Sequence, residues 1–119
     1  MIPAIHRAKA HYQLQKCEIP FEQDLFHYLR YGYVVSRPDL FIMGKTMWCD
    51  PTKEPKTVDD LVSCQEKGKA NVWYFRMLVG NPRDAAKLLP FPLEWMCFSR
   101  HYKKEIRRYR LKEIMDKLT

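Results

Sequence analysis

Long apolar runs are missing from this chain. No stretch approaches the roughly 20 residues that span a bilayer, and the residues after Met1 lack the apolar core of a signal peptide. The expectation is a cytoplasmic protein with no membrane contact. Glycine is also scarce. Four glycines occur in 119 residues, and none belongs to a GxGxxG or GxxxxGK[ST] phosphate loop. GxSxG, HExxH and paired Cys–His signatures are absent too. Cys17, Cys49, Cys64 and Cys97 are scattered with no CxxC spacing, so they read as four reduced thiols rather than a disulfide framework or a metal site. His6 and His11 lie off the spacing of about three or four residues that shares a helix face. With these motifs missing, a non-catalytic role is favoured.

What the chain does have is bulk for a core. Its length suits one domain, and seven Tyr, six Phe and three Trp rule out disorder because large rings supply burial. The most strand-like run is ANVWYFRMLVG, residues 70–80. Arg76 is the one charge among Val72, Trp73, Tyr74, Phe75, Met77, Leu78 and Val79. A run this apolar suits a strand covered on both faces, so it is expected to be the central strand of a sheet.

Along the chain, residues 1–19 read as an arm or a loosely docked helix, with a weak stripe of Ile5, Ala8, Tyr12 and Leu14. Residues 20–119 read as one α+β domain. Pro20 opens a helix in which Phe21, Leu25, Tyr28 and Leu29 share a face. Glu22 and Asp24 suit the positive end of its dipole, Arg30 the negative end, and Gly32 is placed to end it at C′. Residues 33–37 and 40–48 read as a hairpin about Pro38-Asp39, with Gly44 marking a bulge or a close backbone approach. Thr57 caps a short helix that carries Val58, Leu61 and Val62 and is closed by Gly68. Asn81 and Pro82 open another helix, which Pro90 and Pro92 end. Residues 94–100 and 105–110 read as strands. Trp95 and Cys97 fall on one face of the first, Met96 and Phe98 on the other. Leu111, Ile114, Met115 and Leu118 form a C-terminal amphipathic helix.

Two stretches are candidate sites. Gly80, Asn81 and Arg83 form a strand–turn–helix junction, where free N–H groups and a positive dipole can hold an anion; the same residues also serve as a simple helix cap. The second stretch is basic. Between Arg100 and Lys112 seven Lys or Arg stand against one acid, which accounts for six of the chain's seven net positive charges. Arg100, Lys103, Lys104, Arg107, Arg108, Tyr109 and Arg110 are candidates to bind nucleic acid or an acidic partner. The stretch reads equally as a solvated hairpin. On a strand Arg108 and Arg110 share one face, with Arg107 and Tyr109 on the other.

The order of these elements (helix, two antiparallel strands, long central strand, helix, strand, terminal strand and helix) resembles the core of GNAT-type acyltransferases. That resemblance implies acetyl-CoA held at the central strand and the following helix. Arg76-Met77-Leu78-Val79-Gly80-Asn81 departs from the family's Q/R-x-x-G-x-G/A motif. Over residues 24–119 the chain is also similar to small phage and prophage proteins. That likeness rests on Tyr31-Gly32-Tyr33, Ser36-Arg37-Pro38-Asp39 with Phe41 and Met43, Trp73 ahead of Gly80, and Pro92-Leu93-Glu94-Trp95, Phe98-Ser99-Arg100 and Arg107-Arg108-Tyr109-Arg110-Leu111.

The expectation is therefore a single α+β domain: a mixed, mostly antiparallel sheet of about five strands with helices packed on it. The first functional expectation is a non-catalytic accessory or interaction protein with a protein partner, of phage origin, with no cofactor. A nucleic-acid-binding module and a divergent acyltransferase using acetyl-CoA are the alternatives.

Overall fold

A computed structural model describes residues 2–63, 69–99 and 105–117. Its centre is β4 (Val72–Val79), the apolar run singled out above. β4 pairs antiparallel with β2 (Leu40–Trp48) and parallel with β5 (Trp95–Ser99). β1 (Tyr33–Arg37) extends the sheet beyond β2, and β6 (Ile106–Arg110) extends it beyond β5, both antiparallel. The path is β1-β2-β4-β5-β6, with the two-residue β3 (Val62–Ser63) attached to the end of β2.

Helices cover both faces, which is why β4 could afford so few polar residues. On one side α1 (Ala4–Leu14) and α2 (Phe21–Tyr31) pack over Phe41, Met43, Met47, Val72, Tyr74, Met77 and Cys97. On the other, α3 (Pro82–Lys87) and α4 (Leu111–Lys117) contribute Ala85 and Ile114 to a layer with Ile42, Trp73, Phe75 and Met96. The alternation along β5 matches its sequence reading, with Trp95 and Cys97 facing α1–α2, Met96 and Phe98 facing α3–α4.

The N-terminal segment is a helix seated on the sheet. Ala4, Ala8 and Tyr12, spaced by four, are buried, and the two alanines let its backbone come close. Leu14 points into solvent instead. α1 ends in a Schellman turn: the Cys17 N–H donates to the Tyr12 carbonyl and the Lys16 N–H to the Gln13 carbonyl. The left-handed position of that turn, φ 50°, is held by Lys16, a residue with a Cβ.

Three expectations change. The short helix from Thr57 reduces to one 3-10 turn, Val58–Asp60, although its capping box forms as the sequence suggests. Asp60 accepts from the N–H groups of Lys56 and Thr57. Leu61 then turns extended and buries its side chain, and β3 pairs with β2; Gly68, the expected stop, lies outside the described residues. Gly32 ends α2 with φ −138°, not in the left-handed region. It is needed because a Cβ there would run into the Gly44 carbonyl. The buried face of α2 is Phe21, Asp24 and Tyr28, so Leu29, expected inside, is exposed.

Replacing Lys16 by glycine removes the left-handed strain at the cost of a more flexible unfolded chain. The expected net gain is about 0.5–1 kcal/mol, read as a higher urea midpoint at unchanged slope. An unchanged or lowered midpoint contradicts this reading of the turn.

Candidate functional site

The one irregularity in the β2–β4 ladder creates the most polar spot in the core. Met43 pairs with Met77 and Gly44 with Phe75, so Arg76 is an extra residue at which the register shifts. Such a bulge breaks the alternation of faces. Arg76 and Met77, consecutive in sequence, consequently both face α1 and α2. A Cβ on Gly44 would lie 2.6 Å from the Tyr74 carbonyl oxygen, so glycine is what permits the bulge to nest.

A guanidinium buried by a bulge needs an anion, and α2 supplies one. Arg76 Nε donates to Asp24 Oδ2 at 3.0 Å, and the Tyr12 hydroxyl of α1 donates to the same oxygen at 2.6 Å. The Arg76 guanidinium also lies 5.1 Å from the centre of the Tyr12 ring. Asp24 is 6% exposed. Tyr74 and Ser99 hydrogen-bond beside this cluster, and Tyr28 borders it. Burial pushes the pKa of Tyr12 up, and the hydrogen bond to Asp24 adds to it. Burial likewise raises Tyr28 and Tyr74. For Arg76 burial works against the charge, but Tyr12, Asp24 and Tyr74 outweigh it and hold the guanidinium charged. The pair and its tyrosine partner clamp two helices to the central strand.

The sequence reading placed Asp24 only at a helix N-terminus and gave Arg76 no partner. The available signal was that each is out of place. Asp24 sits between Phe21 and Tyr28 on the buried stripe, and Arg76 is the one charge in an apolar strand.

A second cluster lies at the β5–β6 edge. Arg108 stacks on Trp95 with its guanidinium carbon 4.1 Å from the ring centre, and Arg110 reaches the same ring at 4.7 Å. The two arginines thus share a face, as strand alternation requires. Arg108 is buried, with Nη2 on Glu54 at 3.2 Å and Nη1 donating to the Asp50 carbonyl at 3.3 Å. Its charge is therefore spent inside the protein. Arg110 remains largely exposed, 3.8 Å from Glu94. Arg107 and Tyr109 lie on the opposite face, where Tyr109 packs edge-on against Phe98. The basic residues divide between two faces. Arg100, Lys103 and Lys104 lie outside the described residues.

Beneath Arg108, Asn71 pairs with the backbone of Cys49 in both directions, at 2.8 and 2.7 Å, prolonging the β2–β4 ladder past its last bond. Burial pushes the Cys49 thiol up despite the nearby Arg108, and pushes Cys97 up to about 12. Thiols held this way are protonated at neutral pH and poor nucleophiles. Cys49 and Cys97 are free thiols, and Cys64 lies outside the described residues. Among the described residues no three His, Cys, Asp or Glu side chains converge to hold a metal, and no helix is long and apolar enough to cross a membrane.

The Gly80–Arg83 turn is occupied by its own groups. Gly80 has φ 120° and backs onto the β1–β2 turn, where a Cβ would lie 2.8 Å from the Asp39 carbonyl. Asn81 Oδ1 accepts the Arg83 N–H at 2.8 Å, Pro82 offers no N–H, and Asp84 places a carboxylate in the same turn. These residues cap a six-residue helix and do not fit the pyrophosphate that the acyltransferase resemblance implies.

Large apolar side chains are exposed on the outer side of α2 and at the α1–α2 connection. Phe26 is 70% exposed, Leu29 58% and Tyr31 60%; Leu14 and Ile19 flank them. Comparisons of the chain with protein-family models, curated proteins and solved structures found no match.

If Asp24 and Arg76 act as a pair, removing one strands the other. Asp24→Leu or Arg76→Met alone should cost about 3–5 kcal/mol, and the double variant less than the two added together. Additive losses in urea unfolding contradict the pairing. The raised thiols and tyrosines also set a pH dependence. Their folded pKa values lie above the unfolded ones, so their contribution is intact below the unfolded pKa and is lost as pH rises. Stability should hold at neutral pH, then fall as pH passes about 8.5 for the thiols and about 10 for the tyrosines. Cys97→Ala should flatten the first part of that fall relative to its own neutral-pH value. A urea midpoint constant to pH 11 (roughly one unit above a free tyrosine) contradicts the burial assigned to these groups.

Proposed function

We propose that the chain is a non-catalytic accessory protein of phage or prophage origin. It works in the cytoplasm by binding a protein partner through the outer face of α2. The observation that carries this reading is the exposure of Phe26 and Leu29 on one short helix whose opposite face is already buried. Single exposed apolar residues are ordinary, but two at i, i+3 on a well-anchored element mark a contact surface. The polar clusters support the same reading, because Asp24 and Arg76 engage each other inside the fold and Arg108 engages Glu54 and the Asp50 carbonyl. The likeness of residues 24–119 to phage proteins supports the origin.

A second reading, nucleic-acid binding, has one observation in its favour: Arg107 and Arg110 stay accessible at the β6 edge. Arg108 is withdrawn from that surface, which weakens it. The strand order supports the acyltransferase alternative, while the filled turn at Gly80 argues against it.

One experiment separates the two binding readings. A photo-crosslinking residue is placed at position 26 or position 107 in the full chain, in cells that express it. The first reading expects discrete protein adducts from position 26 and none from position 107. Nucleic-acid adducts from position 107, with nothing from position 26, reverse the assignment. Silence from position 26 overturns the proposal.

A further inference from the structure

The outer face of α2 has a pattern that limits what can cover it. Glu22, Phe26 and Arg30 are spaced i, i+4, i+8, opposite the buried Phe21, Asp24 and Tyr28. They form a row of acid, aromatic and base along one side of the helix. Gln23 and Leu29 stand symmetrically to either side of Phe26 in sequence. The row is self-complementary under a twofold axis. Laying it against a copy of itself, antiparallel and centred on Phe26, brings ring to ring, Glu22 to Arg30 of the second copy, and Arg30 to Glu22. The helix dipoles oppose in that arrangement, which is favourable. A parallel arrangement sets Glu22 against Glu22 and Arg30 against Arg30, and is disfavoured.

Charge on the rest of the chain sharpens the choice. Six of the seven net positive charges lie between Arg100 and Lys112, so two copies repel where those segments would meet, whereas the α2 row carries one acid and one base. Glu22 is held by Lys9 of its own α1 at 2.8 Å, with both side chains about half exposed, so it is positioned at the surface. Lys9 holds the Glu22 carboxyl below its ordinary pKa, so it is ionised at neutral pH. At the N-terminal end of α2, Ile19 and Leu14 are exposed.

We infer that α2 is a homodimerisation helix, pairing antiparallel with α2 of a second copy of this chain across a twofold axis through Phe26. This names the partner for the contact face proposed above and rests on that reading. An isologous contact repeats every favourable pair twice. α2 is about 16 Å long, so the interface falls at the small end of specific contacts. The dimer is therefore expected to be weak and reversible.

Sedimentation equilibrium of the purified full chain tests this. The wild type is expected to show a concentration-dependent monomer–dimer equilibrium. Glu22→Arg and Arg30→Glu should each weaken it by about tenfold or more, and the two together should return it to within about threefold of wild type. The Arg30→Glu arm leaves the Lys9–Glu22 contact in place, so its loss reports the intermolecular pair. Phe26→Glu should abolish dimerisation. A wild type that stays monomeric at every concentration, single charge changes without effect, or a double exchange that fails to restore pairing each overturns the inference. If the chain is monomeric yet crosslinks to a different protein from position 26, the self-pairing alone fails. If it is monomeric and position 26 is silent, the contact-face reading fails with it.

Discussion

A guanidinium and a carboxylate meet under the middle of the sheet, and the placement of two helices depends on that contact. Arg76 reaches the α1–α2 face because β4 carries one residue more than β2 opposite Gly44. Once there it is largely withdrawn from water, and Asp24 and Tyr12 meet it from α2 and α1. A buried ion pair is weak evidence of net stability, because desolvation offsets most of the attraction. Its effect here is on specificity. A helix rotated by one position would leave two charges unpaired in an apolar layer, so the register of α2 is set by a large penalty against the alternatives.

Two glycines make that geometry possible. A Cβ at Gly32 would meet the Gly44 carbonyl, and one at Gly44 would meet the Tyr74 carbonyl. The end of α2, β2 and the bulged part of β4 therefore nest backbone against backbone. The same nesting directs α2 so that Phe21, Asp24 and Tyr28 turn inward. Phe26 and Leu29 are then left outside, which is where the proposed contact surface originates. The interior constraint and the exterior face are two sides of one helix orientation.

Much of the architecture was legible from residue pattern. The apolar run at 70–80, with glycine at its end and lysines before it, is a doubly covered strand, and the hairpin about Pro38-Asp39 and the Asn81-Pro82 cap lie where turn chemistry places them. The failures share a cause. Leu29 looked buried, and Asp24 was read only as suiting the helix dipole, because hydrophobic periodicity gives a charge no place on the apolar face. Only a second misplaced charge, 52 positions away, reverses that inference, and periodicity does not join distant residues. The segment after Thr57 carried a valid capping box, yet β-branched Val58 and Val62 and the acids between them sustain no helix, and pairing with the end of β2 takes over. At the candidate sites, strand alternation separated Arg108 and Arg110 from Arg107 and Tyr109 correctly. It was silent on Glu54 and Asp50, which come from a loop and withdraw Arg108 from solvent.

Arg76 at the bulge ties α1 and α2 to the central strand. Residue-resolved native-state hydrogen exchange on the wild type and on Arg76→Met tests it most directly. The prediction is that amides of α1 and α2 lose protection in the variant while those of the β1–β2 hairpin keep theirs. Equal loss throughout the protein, or unchanged protection in the two helices, would contradict it.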